Sequence, residues 1–152
     1  MEFSPRPGGC VCGAVRYELT ADPVTLYACH CTDCQTAMGA SFALSMIVNR
    51  ESVVLVRGEP ELHECRLDDG RVKGAYRCVA CNTNMCGSPI RFPNLLNLQP
   101  GTLDDTSWFQ PAGHIWTRSA QFWFALPEGA LRYEAQPDDM LPLVRAWKSR
   151  AR

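Results

Sequence analysis

The chain has 152 residues, of which 46% are hydrophobic and 20% are charged, and its formal net charge is -1. A chain of this length can bury a core that folds without disulfide bonds, and we expect a single domain. The near-neutral charge argues against nucleic acid or an anionic membrane as a partner. No run reaches the ~18–20 apolar residues of a membrane span, and the N-terminus lacks a secretory signal. We therefore expect a cytoplasmic protein with reduced cysteines.

The first two thirds of the chain carry the alternating apolar pattern of β-strands. Residues 14–20, AVRYELT, place Val15, Tyr17 and Leu19 on one face of a strand. Asp68-Asp69-Gly70 is a strong hairpin turn signal between two such stretches. Further strands are predicted over residues 24–28, 40–48, 52–58, 61–67 and 72–78.

The last third is predicted to hold one late strand and one helix. Residues 120–126, AQFWFAL, are long and apolar enough for a strand. Residues 138–149, DDMLPLVRAWKS, are the best candidate for a helix, because Pro142 is tolerated near a helix start. The sequence thus predicts a mainly β fold with short strands and little helix. We expect one domain over residues 1–135 and a C-terminal tail, with a short helix, over 136–152.

Nine cysteines need an explanation other than disulfide bonds. Most of them stand in C-x-C or C-x-x-C spacing, which lets two sulfur atoms from one turn point at a common centre. In a reducing compartment this pattern is typical of thiolate ligands to a metal, with zinc first. The groups are Cys10 and Cys12; Cys29, Cys31 and Cys34; and Cys78 and Cys81, with Cys86 close behind and Cys65 alone.

Two of these groups lie at strand ends and are natural partners in a closed site of four thiolates. This pairing predicts a structural zinc site formed by Cys10, Cys12, Cys78 and Cys81. It leaves a set of three possible ligands, namely Cys29, Cys31 and Cys34. Three protein ligands and an exchangeable fourth position are the arrangement of a reactive zinc. In the alternative partition, Cys86 or His30 is a fourth ligand that closes the second site.

The ligand set indicates which chemistry a three-thiolate zinc would favour. Three thiolates make the metal electron-rich, so it is a weak activator of water. It suits instead a soft thiol, which would become a nucleophile at neutral pH. Such a thiol could then attack a small carbonyl.

Several motifs, in order along the chain, resemble the glutathione-dependent formaldehyde-activating enzyme family, also called the centromere-protein-V-type domain. They are GGCVCGAVRYE (8–18), CHCTDCQTAMGASF (29–42), RGEPELHE (57–64), YRCVACNTNM (76–85), GTLDD (101–105) and PAGHIWTRSAQFW (111–123). The resemblance implies the β-tent fold, two zinc ions and glutathione as cosubstrate. It also implies a carbon–sulfur lyase of the S-(hydroxymethyl)glutathione synthase type. In that reaction glutathione attacks formaldehyde or another small carbonyl to give an S-hydroxymethyl adduct, and the reverse reaction cleaves it. The structural and catalytic zinc ligands it implies are the same two cysteine sets.

The sequence departs from the family pattern at three positions. Asn82 replaces the glycine of the usual C-x-x-C-G-T, and asparagine is the non-glycine residue that best tolerates positive φ. Cys86 stands where an apolar residue is usual, and we expect it to pack near the structural site. Gln35 stands where many relatives carry arginine, which would change how an anionic substrate is held.

Two histidines near these motifs are expected to be structural. Adjacent residues on a tight turn diverge, so the His30 side chain should point away from the zinc to a hydrogen bond. His114, beside apolar residues, should likewise be structural. Cys65 is expected to be a half-buried strand residue.

The sequence leaves the class of function open between an enzyme and a binding module. In the first case the partner is a small-molecule thiol or carbonyl substrate. In the second, a non-catalytic zinc module carries glutathione or binds a protein partner on the same scaffold. A thiol redox switch ranks last, because zinc ligation would suppress oxidation of the cysteines.

Overall fold

The structure, a computed structural model, describes residues 3–88 and 92–150. Within these residues it is mainly β, with short strands and two α-helices, which confirms the predicted fold class. No helix in this part of the chain is long and apolar enough to cross a membrane. The elements are β1 (Arg6–Gly9), β2 (Arg16–Leu19), β3 (Thr25–Cys29), α1 (Thr32–Met38), β4 (Ala43–Asn49), β5 (Val53–Arg57), β6 (Glu61–Arg66), β7 (Val72–Arg77), β8 (Asn84–Ser88), β9 (Leu95–Leu98), β10 (Gly113–Ile115), β11 (Leu131–Arg132) and α2 (Leu141–Ser149).

The chain divides into two compact units that alternate along the sequence. The first unit takes its described residues from 1–23 and 46–108, and the second from 24–45 and 109–152. The division of the chain at residue 135 stays a prediction.

In the first unit, β1, β2 and β5 form a three-stranded antiparallel sheet. Its buried face carries Val15, Tyr17 and Leu19, as the alternation predicts, and each is at most 3% exposed. The Tyr17 hydroxyl hydrogen-bonds to that of Thr102 at 2.8 Å. Gly8 is required here, because a Cβ at this position would lie 2.5 Å from the Tyr17 ring. This sheet continues directly from the first pair of cysteines.

The other strands of the first unit form an antiparallel array in the order β9, β8, β7, β6, and the Met46–Asn49 part of β4 pairs with β9. Alternate residues are buried, among them Val48, Leu96 and Leu98. The predicted hairpin at residues 68–70 is confirmed, since β6 and β7 pair antiparallel across it. Strand β7 leads directly into the Cys78–Cys81 turn.

In the second unit, β10 pairs in parallel with β3 on one side and β11 on the other. Helix α2 packs on β3, and its Leu143 and Trp147 are fully buried. The Thr25 hydroxyl donates to the Leu143 carbonyl oxygen at 3.1 Å. Gly113 allows this close approach, because a Cβ there would lie 2.6 Å from the Leu143 side chain. The C-terminal helix thus supports the strand that ends at Cys29.

One predicted element is wrong. Residues 120–126 are not a strand but a turn followed by irregular chain. Phe122 is 99% exposed and Trp123 is 60% exposed, whereas Phe124 packs against Phe42 with ring centroids 5.0 Å apart. In this apolar run only the Phe124 ring points into the protein, whereas the rings of Phe122 and Trp123 face solvent. The segment also pairs with no strand among the described residues.

Candidate metal centres

The four cysteines assigned to a structural site lie together in the first unit. We call Cys10, Cys12, Cys78 and Cys81 the four-cysteine cluster; their sulfur atoms all lie within 4.8 Å of one another. The Cys12 sulfur is 3.5 Å from that of Cys10 and 3.8 Å from that of Cys78. All nine cysteines are free, so no disulfide bond explains this proximity.

Two tight turns hold the sulfur atoms of this cluster in place. In the first, the Gly13 N–H donates to the Cys10 carbonyl and the Val15 N–H donates to the Cys10 sulfur at 3.2 Å. In the second, the Asn82 N–H donates to the Cys78 carbonyl at 2.8 Å. Asn82 has a left-handed φ of 59°, as the sequence predicts for the residue after this turn.

The environment of Cys81 favours its thiolate form. Its sulfur lies 3.1 Å from the Thr83 hydroxyl, which can donate to it. The hydroxyl and the backbone N–H of Thr83, with smaller contributions from hydrogen bonds to Cys12, lower the pKa of Cys81 to about 5. A thiolate at neutral pH is the form that binds zinc.

The four-cysteine cluster fits a zinc ion. A Zn–S bond of ~2.3 Å in a tetrahedron places the sulfur atoms ~3.8 Å apart. The observed separations match this spacing, and the Val15 N–H bond to sulfur compensates the charge of a thiolate. The donor set could therefore hold a metal ion in a closed tetrahedral site.

The remaining three grouped cysteines lie together in the second unit. We call Cys29, Cys31 and Cys34 the three-cysteine cluster; their sulfur atoms also lie within 4.8 Å of one another, and those of Cys34 and Cys29 are 3.4 Å apart. Among the described residues, no fourth cysteine, histidine, aspartate or glutamate joins them. The donor set fits a zinc ion that keeps one coordination position for another ligand.

Helix α1 sets the position of two of these sulfur atoms. Cys31 is the N-cap of the helix, with extended φ and ψ, and its sulfur accepts from the Cys34 N–H at 3.3 Å. Cys29 is the last residue of β3 and packs against Ile115 and Leu143 in a small core. A strand end and a helix cap thus hold the three sulfur atoms. Burial is the main cause that raises the pKa of the Cys31 thiol in the absence of a metal.

Gln35 ties the loop around this cluster to neighbouring chain. Its side-chain nitrogen donates to the carbonyl oxygens of His30 at 2.8 Å and Ser119 at 2.9 Å. Its side-chain oxygen accepts from Gln121 at 2.8 Å. The amide is therefore bonded at both ends to the protein, and it acts as a structural cross-brace.

His30, which follows Cys29 and precedes Cys31 in the sequence, forms a buried pair with His114. His30 Nε2 and His114 Nδ1 are 3.0 Å apart, and both residues are at most 3% exposed. The His30 ring lies 5.2 Å from that of Phe42 and 5.4 Å from that of Phe124. Burial lowers the pKa of His30. Burial is also the main cause that lowers the pKa of His114 to about 4, with smaller electrostatic contributions from His30 and Arg132. Both imidazoles are therefore neutral at pH 7, and His30 points to a hydrogen bond, as expected.

Comparison with known proteins identifies the family. The profile of the glutathione-dependent formaldehyde-activating enzyme family matches residues 5–119, which include both cysteine clusters. The chain belongs to this family. A crystal structure of a protein from Rhodobacter sphaeroides is also similar, with 20% sequence identity and a TM-score of 0.48. That similarity covers 69% of this chain and 91% of the other.

Two departures from the pattern of the glutathione-dependent formaldehyde-activating enzymes now have a structural account. Cys86 belongs to neither cluster; it lies on β8, is 6% exposed, and burial raises its pKa to about 11. It is thus a core thiol of the first unit. Gln35 fills its hydrogen bonds with the protein itself, so in this chain it holds the loop in place instead of facing a substrate.

The histidine pair is the part of the site that sequence reasoning missed as a unit. The sequence indicates each histidine only by itself, because 84 positions separate them. The parallel pairing of β3 with β10, which sets His114 opposite Ala28, brings them together. Cys65 also differs from its prediction, since it is exposed on β6 and not half-buried.

Proposed function

We propose that the protein is a zinc-dependent carbon–sulfur lyase of the S-(hydroxymethyl)glutathione synthase type. Its substrate would be the adduct of glutathione with formaldehyde or a related small carbonyl. Family membership supports this assignment, and the observation that carries it is the three-cysteine cluster, which has three thiol donors where a closed site has four. Cys10, Cys12, Cys78 and Cys81 would hold the structural zinc.

In the proposed reaction the sulfur of glutathione bonds to the carbonyl carbon and the thiol proton ends on the carbonyl oxygen. The reverse reaction breaks the same carbon–sulfur bond. Cys29, Cys31 and Cys34 would hold the catalytic zinc, which when bound supplies a positive charge that keeps a soft thiol deprotonated and reactive.

Other residues of the chain contribute to this site in two ways. They hold the three cysteines in position, and they keep the nearest histidine from becoming a fourth ligand. Cys31 is held as a helix cap and Cys29 by the core that Leu143 completes. The His30 imidazole, which stands between two cysteines in sequence, is engaged by His114. The position it could have occupied is thereby kept for substrate.

The test measures, by NMR exchange spectroscopy, the rate at which ¹³C-formaldehyde interconverts with the adduct of formaldehyde and glutathione in the presence of the protein. The zinc-loaded protein should accelerate exchange, and Cys34→Ser should return it to the spontaneous rate. Cys65→Ser is the matched control, because Cys65 is exposed and lies in neither cluster; it should exchange like the unmodified protein. Saturable glutathione binding without acceleration would instead support the non-catalytic module.

A further inference from the structure

Strand β6 presents a free edge of the antiparallel array in the first unit. It bonds to β7 along one side, and within residues 3–88 and 92–150 no strand pairs with its other side. All six of its residues, Glu61–Arg66, are exposed. A strand edge of this kind has backbone donors and acceptors available to another strand.

The hairpin fixes which residues of β6 direct their backbone groups outward. The Leu67 N–H donates to the Arg71 carbonyl oxygen at 2.8 Å, so these two residues form a hydrogen-bonded pair of the ladder. In an antiparallel ladder such pairs alternate with non-hydrogen-bonded ones. Cys65 and His63 therefore bond towards β7. The groups at the free edge are those of Leu62, Glu64 and Arg66.

Charge then selects how two such edges could pair. Residues whose backbone groups point to the free edge must face residues of the same kind in the other copy. When two antiparallel strands are related by a two-fold axis, that axis lies midway between one residue and the same residue of the second copy. An axis at Glu64 or at Arg66 sets like charges opposite each other. An axis at Leu62 or at His63 brings Pro60, which has no N–H, to the paired edge, opposite Glu64 or Arg66 respectively.

Only an axis at Cys65 makes the edge self-complementary among these registers. Glu64 then lies opposite Arg66 of the second copy, and symmetry provides this pair twice. Opposite charges in directly facing positions stabilise a pair of strands. We propose that two copies of the chain associate through β6 in this register.

This register also brings the two copies of Cys65 face to face. They occupy a non-hydrogen-bonded position, where the two Cα atoms are ~4.5 Å apart. That separation lies within the range that a disulfide bond spans. Because Cys65 is exposed and belongs to neither cysteine cluster, it serves as a reporter of the pairing.

The first experiment is oxidative cross-linking of the full-length, zinc-loaded protein with copper–phenanthroline, over a range of protein concentrations. The oxidant removes the two thiol hydrogens and their electrons as one S–S bond forms. On a non-reducing gel, a dimer band should increase with protein concentration, and a reductant should abolish it. It should be absent in Cys65→Ser, which keeps the other eight cysteines.

The second experiment separates the proposed register from chance collision of exposed thiols. Glu64→Arg and Arg66→Glu should each lower the yield of cross-link at fixed concentration by at least about fivefold, since each sets like charges opposite. The double variant restores opposite charges and should restore the yield. Sedimentation velocity on the reduced proteins should follow the same order.

The proposal is overturned by a protein that is monomeric at every concentration with no Cys65-dependent cross-link. It is equally overturned by yields that do not differ among the unmodified, single-variant and double-variant proteins. All the substituted side chains are exposed. Equal urea unfolding midpoints will therefore show that the variants remain folded.

Discussion

Asn82 is held in a backbone conformation that most residues avoid, and the four-cysteine cluster depends on it. Its φ of 59° turns the chain so that its own N–H reaches the Cys78 carbonyl. For a residue with a Cβ, the left-handed conformation costs roughly 1–2 kcal/mol, although asparagine tolerates it better than most.

The first prediction follows from this conformation. Asn82→Gly should keep or slightly raise the free energy of unfolding, whereas Asn82→Ala should lower it by about 1 kcal/mol. Urea unfolding of the zinc-loaded proteins measures both. If alanine were as stable as glycine, the φ of this residue would not matter to the turn.

The second prediction concerns acid and the buried His114. The folded protein lowers the pKa of His114 from 6.5 to about 4, chiefly through burial. Between these values the unfolded chain binds a proton that the folded chain does not. The free energy of unfolding should therefore decrease as the pH falls from about 6.5 towards 4.

The matched variant is His114→Gln, which can still hydrogen-bond to His30 but does not titrate. Its free energy of unfolding should fall less steeply over the same pH range, as measured by urea unfolding at each pH. Loss of zinc in acid is expected to affect both proteins alike, because the substitution changes no cysteine. Identical slopes would mean that His114 does not titrate as its burial requires.

At the scale of elements, helix α2 contributes directly to the second unit. Leu143 is fully buried against Cys29 and Ile115, whereas Leu141, two residues away, is 54% exposed. The same substitution can therefore be made on the inward and the outward face of one helix.

The third prediction uses this pair. Leu143→Ala should lower the free energy of unfolding by about 2–5 kcal/mol, because it leaves a cavity beneath Cys29. Leu141→Ala should change it by less than about 0.5 kcal/mol. Thermal unfolding compares the two, and equal effects would contradict the packing of α2 on β3.

The elements that could be predicted from the sequence are those whose pattern is local. Val15, Tyr17 and Leu19 alternate over a single strand, and the turn at residues 68–70 lies between adjacent strands. Helix α1 was not predicted, because it has seven residues, buries none of them and is capped by a cysteine. Asp33 in its first turn and Gly39 after its end are signs of a helix, but they do not suffice without an apolar face.

At the scale of the whole molecule, each unit contains one cysteine cluster, and the two differ in the number of donors. The cysteines of each cluster could be grouped from spacing alone, since C-x-C and C-x-x-C are local. The His30–His114 pair could not, because it depends on which strands become neighbours.

The fourth prediction is the metal content. Protein purified under reducing conditions should contain about two zinc ions per chain, and a mild chelator should remove about one, because a site with an exchangeable position releases its metal more readily. Elemental analysis before and after dialysis gives both values. Cys78→Ser should lose the retained ion and Cys34→Ser the labile one. Two ions that both resist the chelator would indicate a closed second site and would favour the binding module over the enzyme.

The helix cap formed by Cys31 has a consequence for inhibition. The same sulfur that would bind the metal also accepts the Cys34 N–H that begins helix α1. An electrophile that alkylates Cys31 would remove one thiolate ligand and would also weaken the hydrogen bond that caps the first turn of helix α1. Adding zinc afterwards could not repair that damage, so a covalent inhibitor aimed at this thiol would act irreversibly on the protein.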